Sequence, residues 1–375
     1  MTFTTIPVST ASVNSPLIWV TYDANAIDVT KLDYKYVAEV WIDGVKVHTE
    51  RAYPRPVGSF GIFDFAGVIR NYIAPFFKPN LAVPYEEYQQ GVFRTPSVQI
   101  KMREEYNGTV GTIVLTSTAA LFFNTYSERP ELTNPLLAYA DKFATSRPNK
   151  ISLLANTTAY FIPYYKTTAT PDVILAVAGV SFNALTVLTS TVNNSCLLIN
   201  ASPLLYPSAI GSGTEYTVSI NSETYNVNII CSGLYGNYMV HFLNRFGSFD
   251  SMLFNKVSKR RKQFERKDYK QQPYRVDASG VVSFTNGAYR HEQRTQYAVK
   301  IEEKVRLQTD LLTDDEYKWL SQLVASPMVI VEDAGVFYPV IITDSNYEYK
   351  EHIVDGLTTL SIEVDFTGST NTQYR

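Results

Sequence analysis

Histidine and cysteine are the side chains that most readily bind metals or act as nucleophiles, and both are scarce in this 375-residue chain. The four histidines are far apart: His48, His241, His291 and His352. No two have the i, i+4 spacing of a helical metal site, and we expect His48 and His241, on predicted strands, to be packing residues. Two cysteines exclude a disulfide framework and a four-cysteine zinc site. Cys196 and Cys231 lie in apolar, strand-like runs, so we expect small core residues and no cofactor.

Carboxylate pairs are the other candidates for chemistry, because a glycosidase needs only two acidic groups on a rigid scaffold. The chain has four adjacent acidic pairs: Glu86–Glu87, Glu104–Glu105, Glu302–Glu303 and Asp314–Asp315. Neighbours on a strand point to opposite faces, which disfavours a shared site. Asp314 and Asp315 fall in the first turn of a predicted helix, where the helix dipole favours negative charge. We expect solvated surface groups, and a pair assembled from distant strands stays the open alternative.

Sequence motifs for nucleophilic or phosphate-binding chemistry are absent. The chain has no Gly-x-Ser-x-Gly turn, which would expose a serine nucleophile. It also has no Gly-x-x-x-x-Gly-Lys loop and no Gly-x-Gly-x-x-Gly fingerprint. We therefore expect a protein that is not an enzyme.

One segment has an unusual charge, since eight of the fifteen residues from 256 to 270 are basic. Its candidate interface residues are Lys259, Arg260, Arg261, Lys262, Arg266 and Lys267. Phe264, Tyr269 and Tyr274 interleave with the cations, as stacking residues do in a nucleic-acid-binding arm. However, two acidic residues interrupt the segment and the whole chain has a formal net charge of −3. A solvated connector or a protein interface is therefore favoured over contact with DNA.

The elements that position these residues are predicted to be strands. Hydrophobic residues make up 45% of the chain, and Tyr and Phe alone number 27 and 20, which excludes a disordered chain. Such an excess of aromatic residues favours β-structure over helix. The sequence therefore predicts a mainly β protein.

Three regions are expected, covering residues 1–130, 131–258 and 259–375. In the first, residues 34–42 alternate as a half-buried strand and Asp43-Gly44 supplies a hairpin turn. A second turn is expected at Asn107-Gly108, and a short helix within residues 63–73. Short strands separated by Gly, Pro and Asn predict a β-sandwich of immunoglobulin or fibronectin type.

The second region predicts another sandwich, which ends in a hairpin with its turn around Gly247. The third follows the basic connector and predicts a mixed β module with one helix. Residues 297–307 read as a strand, and Thr313 to Glu316 form a capping box that starts the helix. We expect that helix to end at Ser326-Pro327.

The sequence contains no secretion signal and no stretch of about 18 apolar residues that would span a membrane. We therefore expect a soluble protein that is made in a cytoplasm and has no membrane partner.

Four segments carry a resemblance to a known group of proteins: residues 36–45, 61–73, 242–250 and 305–366. In the last segment, residues 313–320 and 338–350 carry it most clearly. The four segments resemble virion proteins of tailed phages of Bacteroidetes hosts, including crAss-like phages. The resemblance implies a structural subunit of the tail, baseplate or neck that works as a symmetric ring and is assembled in the host cytoplasm. It implies no catalytic residue.

Three functions follow in order of preference. The first is a virion structural protein that forms homo-oligomers, contacts other tail or neck proteins, and uses the basic segment at an acidic surface. The alternative is a carbohydrate- or receptor-binding adaptor of the tail, with Trp19, Trp41 and Trp319 as stacking candidates. Trp41 lies in a predicted strand and Trp319 in a predicted helix, so core packing is expected for both. A depolymerising glycosidase is the third.

Overall fold

The computed structural model describes residues 1–126, 134–167, 172–179, 183–189, 193–210, 213–221, 223–231, 236–256, 258–286, 288–290, 292–343, 357–366 and 371–374. These residues form many short strands and three α-helices, so the predicted mainly β fold is confirmed. The chain divides into two compact units. The first unit holds Met1–Ser232 and His241–Met252, and the second holds Gly233–Val240 and Leu253–Arg375. The division into three domains stays a prediction.

The N-terminal part of the first unit forms two sheets around one core. Its elements are β1 (Thr2–Thr5), β2 (Ile18–Tyr22), β3 (Lys35–Ile42), β4 (Val45–Ala52), β5 (Phe60–Asp64), α1 (Ala66–Arg70), β6 (Tyr85–Tyr88), β7 (Val98–Tyr106) and β8 (Thr109–Thr116). One sheet has the order β1-β2-β5 and the other β4-β3-β7-β8. Side chains from both, among them Trp19, Tyr36, Phe63 and Ile100, form a single buried cluster.

Two hairpin turns lie at the predicted positions. Asp43 and Gly44 connect β3 to β4 with φ values of 48° and 78°, and Asn107 and Gly108 connect β7 to β8 with φ values of 52° and 74°. Two successive residues with positive φ are typical of type I′ turns, whose twist matches that of the strands. Both predicted turns are confirmed.

The helix predicted within residues 63–73 is shorter than expected. Residues Phe60–Asp64 form β5 instead, and α1 occupies only Ala66–Arg70. Phe63 and Phe65 stack in the core with ring centroids 5.7 Å apart. Pairing of β5 with β2 therefore overrides the helical spacing of the apolar residues.

The second part of the first unit contains two further sheets. Its elements are β9 (Lys142–Phe143), β10 (Lys150–Leu154), β11 (Phe161–Lys166), β12 (Asp172–Ala178), β13 (Asn183–Thr189), β14 (Ser195–Asn200), α2 (Pro207–Ile210), β15 (Glu215–Ile220) and β16 (Glu223–Ile230). One sheet has the order β10-β16-β15-β12-β13, with β10 and β16 parallel. The other has the order β6-β14-β11-β9, so β6, from the N-terminal part of the chain, completes it.

A hairpin follows, formed by β17 (Tyr238–Leu243) and β18 (Phe249–Phe254). Its turn contains Gly247 with φ +81°, as predicted. A Cβ atom at this position would lie 2.2 Å from the carbonyl oxygen of Asn124, so the site requires glycine.

The second unit holds most strands of one large sheet. Its remaining elements are β19 (Lys259–Lys270), β20 (Arg275–Val276), β21 (Val282–Ser283), β22 (Thr285–Asn286), β23 (Tyr289–Arg290), β24 (Arg294–Gln308), β25 (Leu312–Thr313), α3 (Asp314–Ala325), β26 (Val329–Asp333), β27 (Val336–Ile342), β28 (Leu357–Thr358), β29 (Ser361–Phe366) and β30 (Asn371–Tyr374). The strand order is β18-β17-β26-β27-β29-β24-β19, and β30 also pairs with β24. The strand predicted at residues 297–307 is thus confirmed as part of β24.

Helix α3 begins at the predicted capping box. Thr313 Oγ1 accepts from the Glu316 N–H at 3.3 Å, and Glu316 Oε2 accepts from the Thr313 N–H at 3.0 Å. The helix buries Trp319, Leu320 and Leu323. In the part of the chain that the structure describes, no helix combines the length and the apolar character needed to cross a membrane.

Candidate functional site

All six predicted interface residues lie on one strand, β19. β19 is the last strand of its sheet and, within the described residues, pairs only with β24. The register runs without a shift from Lys259 opposite Arg306 to Lys267 opposite Ala298, and a bulge precedes Asp268. The segment is therefore an edge strand and not a solvated connector, which was one of its two favoured interpretations. Its role as a protein interface stays a prediction. Residues 259–270 form a strand because they pair with β24, which begins more than twenty residues further along the chain.

The side chains of β19 project from both faces of the sheet. Every residue of the strand except Asp268 is exposed. Because successive side chains of a strand alternate between faces, the cations form two rows. One row holds Lys259, Arg261 and Lys267, and the other holds Arg260, Lys262 and Arg266.

Two cation pairs face each other across β19 and β24. Lys259 lies opposite Arg306, and Arg261 lies opposite Lys304. Like charges in directly opposite positions destabilise a sheet, since their Cβ atoms are only about 5 Å apart. Lys304 Nζ has a counterion, a carboxylate oxygen of Glu363 at 3.8 Å. Among the described residues, no carboxylate lies within ion-pair distance of Lys259 or Arg261.

Arg260 differs from the other cations because it is bound within the second unit. Its Nε and Nη2 donate to Tyr238 Oη at 3.2 and 3.0 Å. Nη2 also forms an ion pair with Asp333. The hydrogen bond with Tyr238 is the main cause that raises the pKa of Arg260. This side chain anchors β19 to its sheet, so it is the least available of the six for a partner.

The aromatic residues of the segment are exposed but already have neighbours. Phe264 and Tyr269 are 48% and 49% exposed. The Arg266 guanidinium lies 5.6 Å from the Phe264 ring centroid, and the Tyr269 ring lies 6.1 Å from that of Tyr297. Tyr274 is likewise exposed. These side chains are therefore partly accessible to a partner.

His241 is a packing residue, as predicted, and His48 lies half-buried on β4. His241 is buried, its Nδ1 lies 2.8 Å from Ser251 Oγ, and the Phe77 ring stacks on it at 4.9 Å. Burial lowers the pKa of His241 to about 3. His291 lies outside the described residues, as does His352. In the described part, no three His, Cys, Asp or Glu side chains gather as metal ligands would.

The two cysteines differ from each other. Cys196 is buried, lies 3.0 Å from Ser248 Oγ, and has its pKa raised to about 12 by burial. Cys231 is exposed, so its prediction as a core residue is wrong. It follows the last residue of β16, where the half-buried Ile229 and Ile230 end the strand. An apolar run does not determine burial beyond the end of its strand.

Several of the adjacent acidic residues pair with cations of their own sheet. Glu105 accepts from Arg51 Nε at 2.7 Å. Glu104 departs from the expected solvated surface, because it is buried with Lys31 Nζ 3.1 Å from its Oε2. The lysine compensates the carboxylate and so permits its burial. Residues 314–315 occupy the first turn of α3, as predicted.

None of the three tryptophans offers an open stacking surface. Trp19 and Trp319 are buried, and core packing of Trp319 is confirmed. Trp41 is half-buried, with Lys101 Nζ 3.5 Å from its ring centroid. Its Nε1 donates to Glu39 at 3.0 Å. A cation thus already covers the one tryptophan that reaches the surface.

The described residues define a mainly β protein of several, mostly antiparallel, sheets whose candidate site is a basic edge strand. No protein-family model matches the chain, and no curated protein matches it. Among solved structures, extracellular domains 3–5 of Drosophila OTK are similar over 90% of this chain and 94% of that chain. The sequence identity is 10% and the TM-score is 0.22, a level of similarity that carries no argument about function.

Proposed function

We propose that this chain is a non-enzymatic structural subunit of the tail, baseplate or neck of a tailed-phage virion. Identical copies form a symmetric ring, and β19 docks the chain to other tail or neck proteins. The resemblance of its sequence to virion proteins of tailed phages of Bacteroidetes hosts, including crAss-like phages, supports the class. The subunit is assembled in the host cytoplasm and resides in the virion.

The observation that carries this proposal is that two cations of β19 face other cations and lack an ion pair among the described residues. Lys259 and Arg261 face cations on β24 and, among the described residues, have no ion pair. An acidic surface on a neighbouring protein supplies the missing anions and selects that partner over others. Closed rings use heterologous contacts, in which one surface meets a different surface of the next subunit. A cationic strand suits such a contact because it repels its own copy.

We also propose that the first unit contains two β-sandwiches of immunoglobulin or fibronectin type. The sheets β1-β2-β5 and β4-β3-β7-β8 share one buried cluster, as the two layers of a sandwich do. The sheets β10-β16-β15-β12-β13 and β6-β14-β11-β9 form the second pair in this proposal. Modules built of packed sheets suit a structural assembly.

Purified particles of the phage that encodes the chain test the location. We expect mass spectrometry to find the chain in several copies per particle, and antibody label to lie at the tail, baseplate or neck. The purified chain is expected to sediment as a closed oligomer. Particles without the chain, or a chain that stays monomeric with and without tail proteins, would contradict the proposal.

Charge reversal on β19 tests the docking surface. The test variant combines Arg261→Glu, Lys262→Glu and Lys267→Glu, and leaves the anchoring Arg260 intact. A matched control reverses three exposed cations of the first unit, namely Arg55, Lys142 and Lys150. We expect the test variant to weaken association with partner proteins by about tenfold or more, because close charge pairs contribute strongly to docking. The control variant should associate with partner proteins as the parent chain does. Equal association by the two variants would contradict the docking role of β19.

The carbohydrate- or receptor-binding alternative receives no support from the tryptophans, which are buried or covered by Lys101. A glycan array separates the two functions. The structural proposal expects no glycan to be bound, whereas an adaptor binds one as an isolated chain.

A further inference from the structure

β19 exposes a backbone edge as well as its side chains. In an antiparallel ladder, alternate residues direct both their N–H and their C=O toward the same neighbouring strand. β24 occupies one side of β19. Every second residue of β19 therefore presents a donor and an acceptor on the other side, where the described residues provide no strand. From Lys259 to Lys267 this edge is free of bulges.

β8, the last strand of another sheet, has an irregular edge that is poorly suited to pairing with a further strand. Two register shifts interrupt its pairing with β7. The Gly111 carbonyl on β8 accepts from Arg103 Nη1 at 3.2 Å. Irregularities of this kind discourage the addition of a further strand. β19 is in contrast long and regular, and only its charge limits which strands can approach.

We propose that β19 binds an extended acidic segment of a partner protein, which adds to the sheet as its next strand. This inference rests on the proposed docking function of β19 and specifies the form of the partner. An added strand satisfies the backbone donors and acceptors of the edge. Its acidic side chains supply the anions that Lys259 and Arg261 lack. Nine residues, at about 3.3 Å each, would cover roughly 30 Å of the edge from Lys259 to Lys267.

The placement of the cations favours a protein strand over a nucleic acid. A polynucleotide lying on one face of the sheet meets only one of the two cation rows, and its phosphates accept hydrogen bonds without donating any. A strand beside β19 places alternate side chains on both faces and so meets both rows. A second copy of β19 is disfavoured as well, since seven of its twelve residues are cationic and only two are acidic.

Three labelled peptides test the proposal by fluorescence anisotropy with the full chain. The first is a nine-residue peptide of glutamate and threonine with glutamates at both odd and even positions. The other two carry three N-methyl groups each, on alternate amides along one edge or along the other. All three peptides have the same residue sequence and charge. The two methylated peptides also have the same composition, so they differ only in which edge can donate hydrogen bonds.

We expect the unmodified peptide to bind, and one of the methylated peptides to bind about tenfold or more weakly, since it loses three backbone hydrogen bonds. The other methylated peptide should keep its affinity within about twofold, because its methyl groups face solvent. The Arg261→Glu, Lys262→Glu, Lys267→Glu variant should lose binding of all three while keeping its circular dichroism spectrum.

Three results would overturn strand addition. Equal affinity of the three peptides means attraction by charge alone, which leaves the docking proposal intact. Unchanged binding by the charge-reversed variant places the peptide elsewhere. Tighter binding of a nine-nucleotide thymidine oligomer than of the unmodified peptide assigns β19 to nucleic acid, and both proposals then fail.

Discussion

His241 is enclosed in the first unit, between Phe77 and Ser251. Burial lowers its pKa to about 3, which favours the neutral imidazole at neutral pH. Ser251 Oγ accepts from the Phe161 N–H at 2.9 Å and can direct its own proton to His241 Nδ1. The site therefore accommodates the uncharged ring, and burial disfavours the charged one. We therefore expect low pH to destabilise the first unit by favouring protonation of His241.

The first prediction concerns the pH dependence of unfolding. The unfolded chain binds a proton at His241 near the ordinary pKa of 6.5, whereas the folded chain does so only near 3. Stability is therefore fully present above pH 6.5 and decreases as the pH falls toward 3, by up to about 5 kcal/mol if the whole shift is expressed. Urea unfolding of the parent and of His241→Phe at pH 7 and pH 4 measures this contribution. The variant should lose less stability on acidification, and identical losses would refute the assignment.

The second prediction concerns the glycine at the tip of the β17–β18 hairpin. Gly247→Ala places a Cβ atom 2.2 Å from the Asn124 carbonyl oxygen and also strains a positive φ. Gly44→Ala is the matched control, since its φ of +78° is similar but no atom lies within 4 Å. We expect Gly247→Ala to lower the free energy of unfolding by at least about 2 kcal/mol more than the control does. Equal losses would show that the turn moves to accept the methyl group.

Predictions about single residues were correct where the neighbouring sequence determines whether a side chain is buried or lies in a turn. The packing of His241 and the turn at Gly247 follow from the strand pattern around them. Glu104 and Cys231 could not be predicted in this way. Burial of Glu104 depends on Lys31, 73 residues away, and exposure of Cys231 depends on where β16 ends.

At the scale of elements, β19 shows that a strand need not carry an apolar alternation. Its order depends on pairing with β24, whose own alternation is visible in the sequence. The capping box of α3 and the hairpin turns are local signals, and they were predicted correctly. The register of β19 was not predictable, because it joins residues on either side of a long connection that contains four short strands.

The third prediction separates the stability of β19 from its docking role. Arg261→Glu replaces a cation that faces Lys304 with an anion. We expect the second unit to gain about 0.5 kcal/mol of stability at low salt, since opposite charges across strands are favourable. Partner binding should weaken in the same variant. Thermal unfolding at low and at about 1 M salt tests this, because the gain should vanish when charges are screened. A loss of stability at low salt would mean that the two side chains do not face each other.

At the scale of the whole molecule, charge is unevenly distributed. The chain has a formal net charge of −3, yet β19 alone holds seven cations. Composition predicted the mainly β class correctly, because aromatic and β-branched residues decide it. Composition could not predict which sheets share strands, since the partner of β6 lies about a hundred residues away.

The fourth prediction concerns the salt dependence of assembly with partner proteins. Raising the salt concentration from about 0.1 M to about 1 M shortens the screening length from roughly 10 Å to roughly 3 Å. Association through β19 should weaken accordingly, as measured by analytical ultracentrifugation of the parent chain with its partners. The Arg261→Glu, Lys262→Glu, Lys267→Glu variant should show a much smaller salt effect. Association that strengthens with salt would indicate an apolar interface instead.

The pairing of β6 with β14 bears on how the protein is made. During translation, Tyr85–Tyr88 leave the ribosome about a hundred residues before Ser195–Asn200, the neighbour they require. The nascent N-terminal part therefore holds an unmatched strand for several seconds at ordinary elongation rates of about 5–20 residues per second. A fragment that stops at residue 130 keeps that strand unmatched permanently, which makes it a poor candidate for separate expression.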